Sequence, residues 1–517
     1  MAGATTSGRR SHNGNGHSNG GVEREKSPRK SHQGSSTSRR RDREADGDAT
    51  AAVPRNRHDI LHGNHSHVHG GHGHRGVVFR HHGHREPPRK DGLRGKIPVR
   101  PEGESGRTGI HPLHFFRIIW RSTSWISRAV NILWPVVPAA IAVYFAVPQH
   151  EQNTLKFILA YIGMIPCANL VGFSGQELAR KMPHMLGVLT ETTFASVVEI
   201  ILFMMLLVNN RFILIQGAIL GSILATMLLC LGMCFFAAGM RRDEATFDEA
   251  ITEAGSGLLL TAGIGLAVPS IFERSVAGTA GLEPQVLEQS VLNISHAVAI
   301  LLLISYLVFV WFQTKTHDGI FNAIFEHDEH RDHDREKDMN KDKLTLTECL
   351  IALVISVGLV ALLAYILVDL IEPMIEEHGL TDPFVGLILV PLVEKAAEHL
   401  TAIDEAWDNQ MNFALSHCLG STLQTALLNG PLVVIVGWGL GKPMSLDFQI
   451  FDMVMLILAV IAVGNFLRDQ KSNYLEGFLC VILYVAIAVA AFYFPNVHAA
   501  ESGGDGAGSG AEGSGGH

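Results

Sequence analysis

Two glutamates sit where charge is expensive. Glu199 lies inside an apolar run and is followed 22 residues later by Gly221-Ser222; Glu398 lies in a second apolar run and is followed 22 residues later by Gly420-Ser421. One offset of 199 residues relates both sets, and it also aligns Asn209-Asn210 with Asp408-Asn409. Each unit reads as helix, short polar turn, helix, and three coincident matches mark an internal repeat. Repeats of this kind build secondary transporters, with the site at the repeat interface near the bilayer midplane. A carboxylate at membrane depth costs at least ~2.5 kcal/mol on insertion scales, so two at equivalent positions need a reason. Facing one cavity, Glu199 and Glu398 would bind a cation, because a hard ion prefers oxygen ligands. Close together in low dielectric, they would also raise each other's proton affinity. Competition between cation and proton for one pair of carboxylates is the chemistry of an antiporter. Gly221 and Gly420 let helices approach closely, and Ser222 and Ser421 offer hydroxyls. Thr226 and Gln424 lie within about a turn of these pairs and are candidate secondary ligands. His399, beside Glu398, is either a proton relay or a packing residue.

The elements that must hold these residues are membrane helices. The chain has 517 residues, 47% hydrophobic and only 18% charged. After Val130 there are about eleven apolar runs of roughly 17–25 residues, the length that crosses a ~30 Å hydrocarbon layer. This excludes a soluble enzyme, a secreted disulfide scaffold and a fibrous protein, and an all-β barrel would alternate in period two. The predicted spans are 130–147, 155–173, 185–208, 212–240, 256–272, 291–312, 346–370, 383–403, 413–438, 451–467 and 477–494. The fold class is therefore an all-α polytopic membrane protein, two homologous halves related as an inverted repeat. The expected organisation is a disordered basic tail over 1–125, a first membrane half over 126–312, an acidic connector over 313–345, a second half over 346–496 and a tail over 497–517.

Charge is unevenly spread. Residues 1–110 hold 21 Lys/Arg against 11 Asp/Glu, whereas the remainder holds 20 against 39. A basic tail stays cytoplasmic by the positive-inside rule and suits contact with anionic lipid. Ten His fall between His58 and His84, which reads either as a weak metal-binding tract or as low complexity without function. The connector interleaves acids with His327, His330 and His333; it is either a solvated linker or a low-affinity cation sensor. The six cysteines lie in or beside apolar runs without a CxxC pair, so they read as small buried hydrophobes. The first 50 residues contain no apolar stretch, so no cleavable signal peptide is expected.

Several collinear motifs carry a family resemblance over about residues 110–496. They are QELA at 176–179, GSILATMLLCLGM at 221–233, ATFDEA at 245–250, WFQTKTH at 311–317, GLILVPLVEKAAEHLTA at 386–402, GWGLGKPM at 437–444 and DQKSNYLEG at 469–477. The chain resembles the Ca²⁺/H⁺ exchanger (cation/proton exchanger) family of the Ca²⁺/cation antiporter superfamily, as a divergent fungal-type member. The resemblance implies eleven spans, a vacuolar membrane, and exchange of lumenal H⁺ for cytosolic cation. The departures fall at the site. The family signatures look like GNATE and GNAAE; here the stretches are Ala195-Ser196-Val197-Val198-Glu199 and Glu394-Lys395-Ala396-Ala397-Glu398. Both glutamates remain and both asparagines are gone. Glu191 stands where the family usually has Asn, and Glu394 lies one turn before Glu398 on the same face. Lys395 modulates the charge. Pointing into the site, its ammonium cancels one carboxylate, and a lost unit charge in low dielectric is worth several kcal/mol. That would favour Na⁺ or K⁺ over Ca²⁺, or silence transport; pairing locally with Glu394 would instead leave the site divalent.

The expected function is secondary active cation/proton antiport into an acidic organelle, with Ca²⁺ as the family default. A monovalent Na⁺/K⁺ exchanger and a non-transporting regulatory paralogue are the alternatives. Neither an enzyme nor a nucleic-acid partner is expected. No cofactor is expected beyond the transported cation, held by Glu199 and Glu398, and no Walker-type nucleotide loop is present.

Overall fold

The protein is described from a computed structural model, over residues 103, 105–107, 109–121, 125–148, 151–182, 184–277, 283–332 and 341–495. The His-rich tract, most of the basic tail and the C-terminal tail lie outside the described residues, and so do the expectations placed on them. Helix α1 (Pro112–Arg121) falls in the stretch assigned to the tail. It exposes Leu113, Phe116 and Trp120 along one stripe beside Arg117 and Arg121, the pattern of a helix lying at a membrane interface.

The apolar runs then form α2 (Ile126–Ala146), α3 (Asn153–Ala179), α4 (His184–Val208), α5 (Phe212–Arg241), α6 (Glu249–Val276) and α7 (Pro284–Thr316). A short helix, α8 (Asp318–Arg331), precedes α9 (Leu346–His378). After it come α10 (residues 382–394) and α11 (Ala396–Trp407), then α12 (Met411–Gly439), α13 (Ile450–Phe466) and α14 (Tyr474–Phe492). Among the described residues nine helices are long and apolar enough to cross a bilayer. The other two of the eleven expected crossings depart from that form. Helix α13 has 17 residues, about 25 Å at 1.5 Å per residue, and α10–α11 is one crossing broken at Lys395, whose φ and ψ are −91° and −3°.

Counting crossings, α4–α5 are the third and fourth and α10/α11–α12 the eighth and ninth. Equivalent crossings are offset by five, an odd number, so the two repeats traverse the membrane in opposite directions. Their turns match in detail: Asn210 (φ 59°) and Asn409 (φ 74°) both take the left-handed conformation, which Asn tolerates better than most residues. Each repeat also carries a widened π-type turn just after its Gly-Ser pair, at Ala225–Cys230 in α5 and Thr425–Asn429 in α12. Such turns favour functional sites because they redirect side chains and free backbone groups. In α5 and α12, 83% and 72% of the most apolar stretch is buried, against 28% in α7 and in α14. Helices α5 and α12 therefore lie at the centre, and α7 and α14 present their apolar faces outward.

The connector is partly built into the fold. Helix α8 buries Phe321, Ile324 and Phe325. Its Asp328 accepts bonds from the backbone N–H of Asn412 (2.7 Å), the Asn412 side-chain amide (2.9 Å) and the Phe413 N–H (3.4 Å). These donors belong to the first turn of α12, so Asp328 acts as a cap supplied from another helix, where a carboxylate also suits the helix dipole. Burial pushes the Asp328 carboxyl above its ordinary range, and the Asn412 and Phe413 donors oppose that shift. The reading of the connector as solvated linker therefore does not hold over 318–331, where apolar residues spaced for one helix face dock it. Residues 333–340 lie outside the described residues. Strands β1 (Ala245–Thr246) and β2 (Lys471–Ser472) pair antiparallel.

Candidate functional site

The close approach of α5 to α10 sets the site's geometry. A Cβ on Gly221 would overlap the Leu387 carbonyl and the Pro391 ring. Pro391 has no N–H to give the Leu387 carbonyl four residues back, and α10 is widened over Val385–Leu389. Gly221 thus lets one helix lie on the irregular backbone of another. Gly420 is different: a Cβ there would meet only the Thr192 methyl, at 4.0 Å.

Glu199 on α4 and Glu398 on α11 converge. Between them lies the ammonium of Lys395, 2.7 Å from Glu199 Oε2 and 3.3 Å from both oxygens of Glu398. The lysine side chain is 1% exposed. It also donates to Ser421 Oγ at 3.0 Å, and Ser421 donates to Glu398. Lys395 therefore points into the site, and among the described residues it makes no ion pair with Glu394. Glu394 instead accepts a bond from Ser222, and its other oxygen has no hydrogen-bond partner. Of the two arrangements left open by the sequence, the structure adopts the one in which the ammonium enters.

Glu199 takes further donors from the opposite repeat. Thr425 Oγ1 donates to both its oxygens (2.9 and 3.0 Å), and Asn429 Nδ2 donates to Oε2 at 2.8 Å. Neither residue was singled out from sequence. Thr425 is the 199-residue counterpart of Thr226, so the repeat offset could have found it; Asn429 follows it by one turn.

Glu398 borders a cavity also lined by Glu191, Thr192, Thr226, His399, His417 and Ser421. Its free volume is about 20 Å³, room for roughly one water-sized occupant. Thr226 Oγ1, His399 Nε2 and both amide atoms of Gln424 are buried without hydrogen-bond partners. Unpaired buried polar atoms are costly, so Thr226 and His399, which line the cavity with Glu398 and Glu191, fit a site that takes up a polar or ionic guest. Glu191 lines the same cavity but faces His417, whose Nε2 is 3.6 Å from its carboxylate; the other ring nitrogen is 2.7 Å from Glu405. Glu405 and His417 were not picked out from sequence, since nothing in their spacing links them to Glu191.

Fold and site together define a polytopic membrane carrier: inverted repeats that bring two membrane-embedded carboxylates to one buried ammonium. Comparison with known proteins places it further. The sodium/calcium exchanger protein family matches residues 153–315 and 349–493, and the chain belongs to that family. It is 32% identical to the vacuolar calcium ion transporter of Schizosaccharomyces pombe, covering 72% of this chain and 86% of that one. It is also 31% identical to vacuolar cation/proton exchanger 2 of Arabidopsis thaliana, over 71% and 82%. Among solved structures, the Ca²⁺/H⁺ antiporter YfkE is similar at 25% identity with a TM-score of 0.58, covering 71% of this chain and all of that one. The protein is a transporter and not an enzyme.

Proposed function

We propose that the protein exchanges H⁺ for a cation, Ca²⁺ in the first reading, across a vacuolar or related organelle membrane, with Glu199 and Glu398 holding cation and proton in turn. One observation carries this: glutamates from opposite repeats already close on a single positive charge, the Lys395 ammonium. That ammonium marks where a cation rests and stands in for the cargo. Relatives named as calcium transporters and cation/proton exchangers support the reading.

Charge arithmetic bears on the ion. Glu199, Glu398 and Lys395 sum to −1, which suits a monovalent ion. With Glu394 ionised the sum is −2, the charge of two bare glutamates, which suits a divalent ion. Glu394 and Lys395 are thus a charge-compensated pair, although they do not touch. Ca²⁺ entry then requires the lysine to withdraw or lose its proton, since a divalent ion and an ammonium within ~3 Å repel strongly in low dielectric. A second reading, Na⁺ or K⁺ exchange, is favoured by the lysine's position if it stays. Ser222, Ser421, Thr226 and Gln424 supply further oxygens, and His399 and Glu191 line the approach to Glu398.

The test is proton efflux from acid-loaded proteoliposomes on addition of Ca²⁺, Na⁺ or K⁺ singly. Ca²⁺-driven release that disappears in Glu398→Gln is expected. Release by Na⁺ or K⁺ alone selects the second reading, and undiminished flux in Glu398→Gln sinks the assignment.

A further inference from the structure

Three of the six cysteines meet in the interior. Cys230 and Cys234 lie on α5 one turn apart, hence on one face, and Cys418 projects from α12. Their sulfurs all lie within 4.8 Å of one another. Cys230 and Cys418 Sγ are 3.6 Å apart, beside the roughly 3.8 Å that two thiolates at ~2.3 Å from a tetrahedral metal would show. All three are free thiols, buried, while Cys167, Cys349 and Cys480 have no such company among the described residues. Packing alone asks for small apolar volume, not for three sulfurs gathered within 4.8 Å of one another. A second observation points to an occupant: Cys230 and Cys418 line the cavity that Glu398 borders, which leaves space beside them for a fourth coordination position.

We propose that Cys230, Cys234 and Cys418 form a binding site for a soft or borderline metal ion of the Zn²⁺, Cd²⁺ or Cu⁺ class, distinct from the oxygen-lined cation site. Thiolate sulfur selects such ions, and carboxylate and hydroxyl oxygens select hard ones. Each coordinating thiol gives its proton to water as the metal–sulfur bond forms, so three protons leave for each ion bound. The ligands come from the fourth and ninth crossings. Cys230 lies four residues beyond Thr226, and Cys418 three residues before Ser421. The bound ion ties the two repeat helices together beside the transport site and slows exchange; this consequence rests on the antiport reading, whereas the binding does not.

The experiment titrates the full-length protein in detergent with Cd²⁺ under a non-thiol reductant, following the ultraviolet thiolate-to-cadmium charge-transfer band. The histidine tract is silent in that band. One equivalent should saturate it. Cys418→Ser and, separately, Cys230→Ser should weaken binding by no less than the roughly 10–100-fold typical of residues that merely support a ligand, and Cys480→Ser should leave it unchanged. No band, or equal affinity in Cys418→Ser and wild type, overturns the site. Flux of the cation found active in proteoliposomes is then measured with and without Cd²⁺. Inhibition in wild type but not in Cys418→Ser supports the clamp, and unchanged wild-type flux at full occupancy overturns it. If the protein carries no ion at all, the antiport reading fails while the absorption titration still decides the metal site.

Discussion

Glu199 and Glu398 are equivalent in the repeat, yet their surroundings differ. The Glu199 side chain is 1% exposed and takes three bonds from Thr425 and Asn429 of the opposite repeat, besides the Lys395 ammonium. The Glu398 side chain is 11% exposed, is held by Lys395 and Ser421 of its own repeat, and borders the cavity. By the 199-residue offset, the counterparts of Thr425 and Asn429 are Thr226 and Cys230. Both line the Glu398 cavity, and the Thr226 hydroxyl has no partner. A mirror-image cradle for Glu398 is therefore half present and unused, because Lys395 draws the carboxylate toward Glu199. The source of the asymmetry is local: Glu394-Lys395 stand where the first repeat has Ala195-Ser196. Glu199 is the anchored carboxylate, and Glu398 is the one with access.

The sharpest way to break this contrast is Glu199→Gln. It leaves Lys395 buried with one carboxylate fewer, and removing one partner of a buried ion pair costs about 3–5 kcal/mol. Thermal unfolding in detergent should show that loss, and Glu199→Gln/Lys395→Met should recover most of it without restoring flux. Glu398→Gln, being partly exposed, should lose less stability while losing flux as completely. Equal losses from both single variants would refute the division into anchor and accessible group.

The next contrast is selectivity. Glu394→Ala/Lys395→Ser makes the second repeat match the first and keeps the summed charge at −2, so Ca²⁺ exchange should persist. Lys395→Ser alone adds one net negative charge and should raise the Ca²⁺-over-Na⁺ flux ratio at least tenfold, about 1.4 kcal/mol. A ratio unmoved by Lys395→Ser would mean that the lysine leaves the site before the ion enters.

Packing separates the repeats as well. Gly221→Ala should destabilise by about 1–3 kcal/mol through overpacking against Leu387 and Pro391. Gly420→Ala should change the unfolding temperature little, because nothing lies nearer than 4.0 Å from its Cβ.

The smallest effect concerns the cap on α12, which has no equivalent described on α5. Asp328 has a folded-state pKa above its ordinary value, so the folded protein holds this proton more tightly than the unfolded chain does. Stability from this group therefore falls as pH rises from the ordinary carboxylate value through the raised one. Asp328→Asn should remove that component at a cost of roughly 1 kcal/mol as a weakened cap. Unfolding temperatures of the two proteins compared across mildly acidic pH would show it.

Much of this was legible in the chain. Hydrophobic run length marks the spans, and a charge in such a run is noticed because hydrocarbon penalises it. The 199-residue offset paired Glu199 with Glu398, and Asn210 with Asn409, before any coordinates. Lys395 was visible as the residue on which ion choice turns. What lay beyond reach involves contacts between distant helices. The direction of the lysine depends on the break in the helix at 395, and Glu199's partners come from 226 and 230 residues further along the chain. Cys230 and Cys234 read as packing because Cys418, on another helix, completes the group only after folding.

By itself the sequence determined that this is an all-α membrane protein of two repeats, with a glutamate at the equivalent apolar position of each, since length, apolarity and periodicity act along the chain. Only the tertiary structure decided which carboxylate is sealed and which borders a cavity, that an ammonium lies between the two, and that three thiols gather at one place. Those outcomes depend on helix rotation and depth, which are set by packing at places such as Gly221 on Leu387 and are not encoded in any local stretch.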